Sequence, residues 1–298
     1  MDASQPRPTS YPVRPSVALV AFLALTPACS EVGAPPLEAP AWDRAALGVD
    51  DPDLVGAIDL ERVRADPVFG PAIESLARED GMGVLMRAAR IDMVATVRSG
   101  EMRSWVAVVH GVDGPPGAHD VGSWLGAPRP LPSGATEYPG GHDGSLVVVR
   151  GAWILGRGAS FDRLRTDVRT APAAVAMPDR ALVASTVLGR AIPRPRHDSL
   201  DGVTDGLRRA TFELLGGPKL EFVLVCEFED GEAADRAARL AQAQIAAFAA
   251  RTDAISTLAQ ALVKVDFSVS GRVVTSRATV DDAVREVLAR YAERAARD

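Results

Sequence analysis

The stretch Ile91–Gly111, IDMVATVRSGEMRSWVAVVHG, decides the fold. On either side of Ser99-Gly100-Glu101 lie two runs rich in β-branched and aromatic residues, and the small residues between them are turn formers. That combination predicts a β-hairpin, which forces antiparallel pairing. The same pattern recurs at GSLVVVRGAWILGRG, turning at Arg150-Gly151, and at KVDFSVSGRVVTSRATV, turning around Ser270-Gly271. DLVGAIDL, RALVASTVL and KLEFVLVCEF add single predicted strands, the last being the clearest strand in the chain.

Helical periodicity fills the intervals. In RADPVFGPAIESLARED, Asp66 is placed as a cap and Pro67 at the first helical position, with Phe69, Ile73, Leu76 and Ala77 on one side. Further helices are predicted from Met82 to Arg90, around Val121 to Leu125, over SFDRLRTDVRT with Ser160 as cap, and within SLDGVTDGLRRATFELLGG up to Gly216-Gly217. An alanine-rich helix runs from Asp230, carrying Ala237, Leu240, Ala241, Ile245 and Phe248 on one face, with a second start near Thr252-Asp253. A last helix begins at Thr279, where Asp282 suits a capping box and Val280, Val284, Val287, Leu288 and Tyr291 make an apolar stripe.

Strand, helix, strands, helix, given twice, predicts an α+β fold: a mainly antiparallel sheet with helices packed on one face, in two loosely related halves. The expected divisions are residues 53–170 and 171–298, preceded by a leader over 1–28 and a Pro/Ala-rich tether over 29–52. Ile58-Asp59-Leu60 through Phe69 resembles the opening unit of exported bacterial proteins with an α+β domain.

Composition limits the function classes. The chain has 298 residues and a formal net charge of −6, and Lys219 and Lys264 are the only lysines among its 33 basic residues. Its acidic and basic groups are dispersed, so no nucleic-acid partner is expected. At the N-terminus, Arg7 and Arg14 precede the apolar run Val17 to Leu25, and small residues follow at Thr26-Pro27-Ala28 before Cys29, the three-part order of a secretory signal. The run is far short of the roughly 20 residues that span a bilayer as a helix.

Leu25-Thr26-Pro27-Ala28-Cys29 resembles a bacterial lipobox, with Thr26 standing where leucine is usual and Leu25 one place further out. The resemblance implies cleavage before Cys29 and acylation of that residue, hence a membrane lipoprotein of the cell envelope. Acyl chains contribute about 0.8 kcal/mol per buried methylene, so several together make a stable anchor. Ser30, in place of the aspartate that retains such lipoproteins at the inner membrane, implies outer-membrane placement. With Cys29 lipidated, Cys226 has no partner; in its strand it reads as a buried, inert thiol.

Chemistry is less legible. Nucleophile-elbow, phosphate-loop and paired-cysteine zinc motifs are missing from the sequence, and no cofactor is expected. GRGAS at Gly156–Ser160 reads as a turn before a helix. Three of the four histidines precede aspartate: His119-Asp120, His142-Asp143 and His197-Asp198. Imidazole with carboxylate suits zinc, yet all three pairs fall in Gly/Pro-rich loops where turn chemistry explains them better, so no metal is expected. Glu227, Glu229 and Asp230 close a strand and read as a solvated edge. Trp105 and Trp153 fall in strands, and Trp124, in a loop, is the candidate exposed contact. Two function classes follow. The first is a non-catalytic binding or assembly lipoprotein whose partner is another envelope molecule. The alternatives are a metal-assisted hydrolase built from the His-Asp loops, or a periplasmic carrier of a hydrophobic ligand.

Overall fold

A computed structural model of the protein describes residues 47, 51–67, 69–78, 81–98, 101–122, 125–141, 144–192, 202–249 and 265–280. The predicted hairpin forms: β1 (Leu54–Asp59) is followed by β2 (Arg90–Arg98) and β3 (Glu101–His110), paired antiparallel. Next come β4 (Arg129–Pro130), β5 (Thr136–Pro139), β6 (Ser145–Val149) and β7 (Ala152–Arg157). The remaining strands are β8 (Ala181–Leu188), β9 (Leu207–Leu215), β10 (Leu220–Phe228), β11 (Val265–Ser270) and β12 (Val273–Val280).

The twelve strands among the described residues join one sheet in the order β11-β12-β10-β9-β8-β1-β2-β3-β7-β6-β5-β4. Outward from the β1–β8 pair, one side runs β2, β3, β7, β6 and the other β9, β10, β12, β11. In both directions a hairpin comes first, and the second strand of a later hairpin docks beside it. The α+β class and the antiparallel sheet hold.

Six helices lie among the described residues: α1 (Leu60–Ala65), α2 (Phe69–Leu76), α3 (Val84–Arg87), α4 (Ala118–Val121), α5 (Ala159–Asp167) and α6 (Gly231–Ala249). Against expectation, they cover both faces. Alternate residues of one strand point to opposite faces, and they divide between two cores. Val106, Val108, Val147 and Ile154 pack with Phe161 of α5 and with Val168 and Val175 of the connector after it. Val109, Leu146 and Trp153 pack on the other side with Leu60 of α1 and Val121 of α4. Further along that second face, α6 sets Ala233, Ala234, Ala237 and Ala238 against Phe228 and Val274. Burial on both faces explains why β6 and β7 read as nearly continuous apolar runs.

Four local expectations are corrected. The segment before Gly216-Gly217 is strand β9, not a helix: Leu207–Leu215 has helix-forming residues, but β8 and β10 offer hydrogen-bonding edges on both sides. Helix α5 is capped at Gly158, and Ser160 lies inside it, buried, its amide donating to Ser104 Oγ. The short helix expected at Val121 to Leu125 stands three residues earlier, at Ala118–Val121. Strand β12 continues through Thr279 and Val280, where the last helix was expected to begin. That helix and the second start at Thr252-Asp253 lie otherwise outside the described residues. A cap not foreseen is Asp59, whose Oδ1 accepts from the Arg62 amide at 2.9 Å and starts α1.

Candidate functional site

Register across the sheet assembles a single transverse row, one residue from each strand: Arg129, Glu137, Val147, Ile154, Val108, Asp92, Ala57, Ala184, Glu213, Val223, Arg277, Asp266. Its members Val147, Ile154, Val108, Ala57 and Ala184 belong to the core on the α5 face of the sheet. Three carboxylates, Glu137, Asp92 and Glu213, are buried in this row. A buried carboxylate is tolerated only where donors replace the water it has lost, and the three are supplied unequally.

Asp92 has no exposed surface and is the best supplied. Arg90 Nε donates to Oδ1 at 2.6 Å, and the Val175 amide donates to Oδ2 at 2.9 Å. His110 Nε2 lies 3.0 Å from the same Oδ2. Arg90 Nη2 also donates to the Val175 carbonyl, so both backbone polar groups of Val175 are held by this pair of side chains. Arg90 and Asp92 share a face because they are two apart on β2, and Arg90 stands directly opposite His110. A bulge makes this possible: Val97 pairs with Met102 but Thr96 with Ser104, leaving Arg103 extra. A one-residue shift exchanges the faces of every following side chain. Without it His110 would point to the other face.

Glu137, 1% exposed, accepts from Arg129 Nε at 2.9 Å and from Arg165 Nη1 at 2.8 Å. Burial opposes its ionisation, but the hydrogen bonds from Arg129, Ser145 and Arg165 outweigh that and hold its carboxyl below the usual range. Since Arg165 belongs to α5, the contact fastens that helix to the sheet margin. Among the described residues Glu213 has no such donor set. Burial pushes its carboxyl up, the Arg277 charge offsets this only in part, and Arg277 Nε is itself buried without a hydrogen-bond partner among those residues.

Chemically, His110 held by Asp92 has the form of a base with its orienting carboxylate. Within the fold, the cluster locks the connector that joins β7 and α5 to β8. None of Arg90, Asp92, His110, Glu137 or Glu213 stood out in the sequence. The signal was present as charge at positions whose neighbours two residues away are buried: Asp92 beside Val94, and His110 beside Val108.

Of the three His-Asp pairs singled out in the sequence, His119-Asp120 is the one described. Asp120 is buried in α4, where its Oδ2 accepts from the Gly117 amide at 3.0 Å and from Arg87 Nη1 at 2.6 Å. The Arg87 guanidinium lies 5.3 Å from the ring centroid of Trp153. Asp120 is therefore a capping and ion-pairing group, while the His119 side chain is exposed. Cys29, Trp124, His142, Asp143, His197 and Asp198 lie outside the described residues. Among the described residues, no three His, Cys, Asp or Glu side chains gather in a way that would hold a metal ion.

The remaining expectations resolve locally. The GRGAS segment carries the Gly158 cap, and the Ser104 hydroxyl accepts from the Ser160 amide in the first turn of α5. Glu227 is bound by Arg209 and Arg272, each at 2.7 Å, and is not a free strand-end acid. Cys226 is half-buried in β10, and desolvation pushes its thiol up to about 12. Trp153 is fully buried and donates from Nε1 to the Gly114 carbonyl at 2.9 Å. No helix among the described residues is long and apolar enough to cross a membrane.

No family model matches this sequence, and no curated protein matches it. Among solved structures, crystal form IV of TP0453 is similar with a TM-score of 0.48 and 11% identity, covering 85% of this chain and 97% of that one. Crystal form III gives a TM-score of 0.47 at 11% identity, covering 83% of this chain and 98% of that one. Crystal form I gives 0.45 at 12% identity, covering 83% and 97% respectively.

Proposed function

We propose that this chain is an acyl-anchored envelope lipoprotein whose α+β domain serves as a binding or assembly component, tethered to the outer membrane through Cys29. The observation that carries the reading is the order of features at the N-terminus: Arg7 and Arg14, the apolar run from Val17, the small residues Thr26-Pro27-Ala28, then Cys29. The Pro- and Ala-rich stretch after Cys29 suits an extended spacer between membrane and domain. In support of a holding role, the buried carboxylates with full donor sets, Asp92 and Glu137, are spent on fastening the connector and α5 to the sheet. The order of strands outward from the β1–β8 pair supports reading the domain as two related halves, 53–170 and 171–298.

The test is metabolic labelling of the full chain with a fatty-acid analogue, beside Cys29→Ser. Label in the wild-type chain and none in the variant supports the reading. An unlabelled wild-type chain overturns it.

A further inference from the structure

The two ends of the sheet are built differently. At one end β4 is two residues long; Pro130 has no amide to offer, and Arg129 is ion-paired with Glu137. A short strand with proline and charge blunts an edge against further pairing. At the other end β11, VDFSVS, has six residues without proline, lysine or arginine, and it pairs with β12 without a bulge. Among the described residues no strand lies beyond it.

The hairpin fixes which backbone groups β11 leaves open. Its turn is Gly271-Arg272, with Gly271 at a φ of 57°, and Ser270 pairs with Val273. The Phe228 amide donates to the Arg272 carbonyl at 2.9 Å. Hydrogen-bonding direction alternates along a strand, so Val274, Ser276 and Ala278 bond to β10, while Val273, Thr275 and Arg277 bond to Ser270, Ser268 and Asp266 of β11. The amides and carbonyls of Phe267 and Val269 therefore point out from the sheet edge. Their side chains share the α6 face: Phe267 is half-buried against the α6 cluster, and Val269 is 40% exposed. Asp266 and Ser270 are exposed and Val265 is buried, so the open stretch runs from Asp266 to Ser270.

This stretch is complementary to itself. When two copies meet antiparallel about a two-fold axis through Ser268, Phe267 of each falls opposite Val269 of the other. Asp266 of each falls opposite Ser270 of the other, so no acid faces an acid. An aromatic ring beside a β-branched side chain is a favourable cross-strand pair. Phe267 and Val269 are also the residues with open backbone groups, so each such pair exchanges both of its hydrogen bonds. We infer that β11 is a dimer interface, at which a second copy of this chain pairs edge to edge and continues the sheet across a two-fold axis at Ser268. The inference rests on this edge alone and does not depend on acylation of Cys29.

The experiment uses the full chain carrying Cys29→Ser and Cys226→Ser, in detergent, followed by sedimentation at rising protein concentration. A monomer–dimer equilibrium is expected. Val269→Lys, which sets a charge opposite Phe267, should weaken it about tenfold or more. In the same background Ser268→Cys should close an intermolecular disulfide under mild oxidation, because the residues at the axis form a non-hydrogen-bonded pair with Cα atoms about 4.5 Å apart. Ser270→Cys, whose two copies lie far from the axis, should not. Matching circular dichroism spectra guard against misfolding of the variants. Three results would overturn the interface: a monomer at every concentration, association unchanged by Val269→Lys, or a disulfide that forms as readily in Ser270→Cys as in Ser268→Cys. The first is what an edge reserved for a strand of another protein would give, and the second is what contact through the N-terminal apolar run would give.

Discussion

His110 Nε2 lies 3.0 Å from Oδ2 of Asp92, a carboxylate with no exposed surface that also receives Arg90 and the Val175 amide. Removing one partner of a buried charged pair strands the other, a loss of about 3–5 kcal/mol. Asp92→Asn is expected to lower the unfolding free energy measured by urea titration by about 3–5 kcal/mol. His110→Gln, which keeps a donor in place, should cost no more than about 1 kcal/mol. Equal loss in the two variants would show that Arg90 and Val175 are not the main partners.

Glu137 and Glu213 lie in the same row and have opposite pH signatures. The carboxyl of Glu137 is held below its ordinary value, so its contribution is full above the unfolded value and is lost as pH falls through the folded one. That of Glu213 is raised, so its contribution is full below the unfolded value and is lost as pH rises through the folded one. At pH 7, Glu137→Gln should therefore destabilise the chain and Glu213→Gln should stabilise it. Denaturation between pH 3 and 7 measures both, and the same sign for the two variants would contradict the assignment.

Gly156 lies where β7 meets both β3 and α5. A Cβ there would come within 2.5 Å of the Trp105 carbonyl oxygen and of the Phe161 ring. The backbone of β3 cannot retreat without breaking its pairing, so Gly156→Ala should cost about 1–3 kcal/mol through overpacking. A thermal midpoint equal to that of wild type would mean that α5 sits further from the sheet.

Leu214 is buried with Val63, Leu182 and Leu220, a grouping that exists only if Leu207–Leu215 is a strand. Leu214→Ala should cost about 2–5 kcal/mol. The neighbouring backbone amides should be strongly protected from hydrogen exchange in the wild-type chain, as expected between two paired strands.

The hairpins were the legible part of the fold. Turn residues at Arg150-Gly151 and Ser270-Gly271, flanked by β-branched runs, carry their own local signal, and β6–β7 and β11–β12 follow from it. Strand β9 was illegible because Arg208, Arg209, Ala210 and Leu214 favour helix, while Glu213, turned inward, breaks the polar–apolar alternation that marks a strand. The side taken by α5 was hidden for a related reason: with both sheet faces buried, nothing in β6 or β7 distinguishes a helix-covered face from a bare one. The Asp92 cluster was hidden by the extra residue Arg103, since a simple count back from the turn puts His110 on the wrong face. His119-Asp120 was visible as a pair, but Asp120 proved to be a partner for Arg87, a contact between α3 and α4 that sequence spacing does not encode.

The central claim concerns Cys29, and mass spectrometry of the N-terminal peptide from the natively expressed protein tests it most directly. The account predicts a peptide that begins at Cys29 and carries the mass of diacylglycerol and an amide-linked acyl chain. A peptide that runs through Ala28 into an unmodified Cys29, or one cut elsewhere with a free thiol, would contradict it.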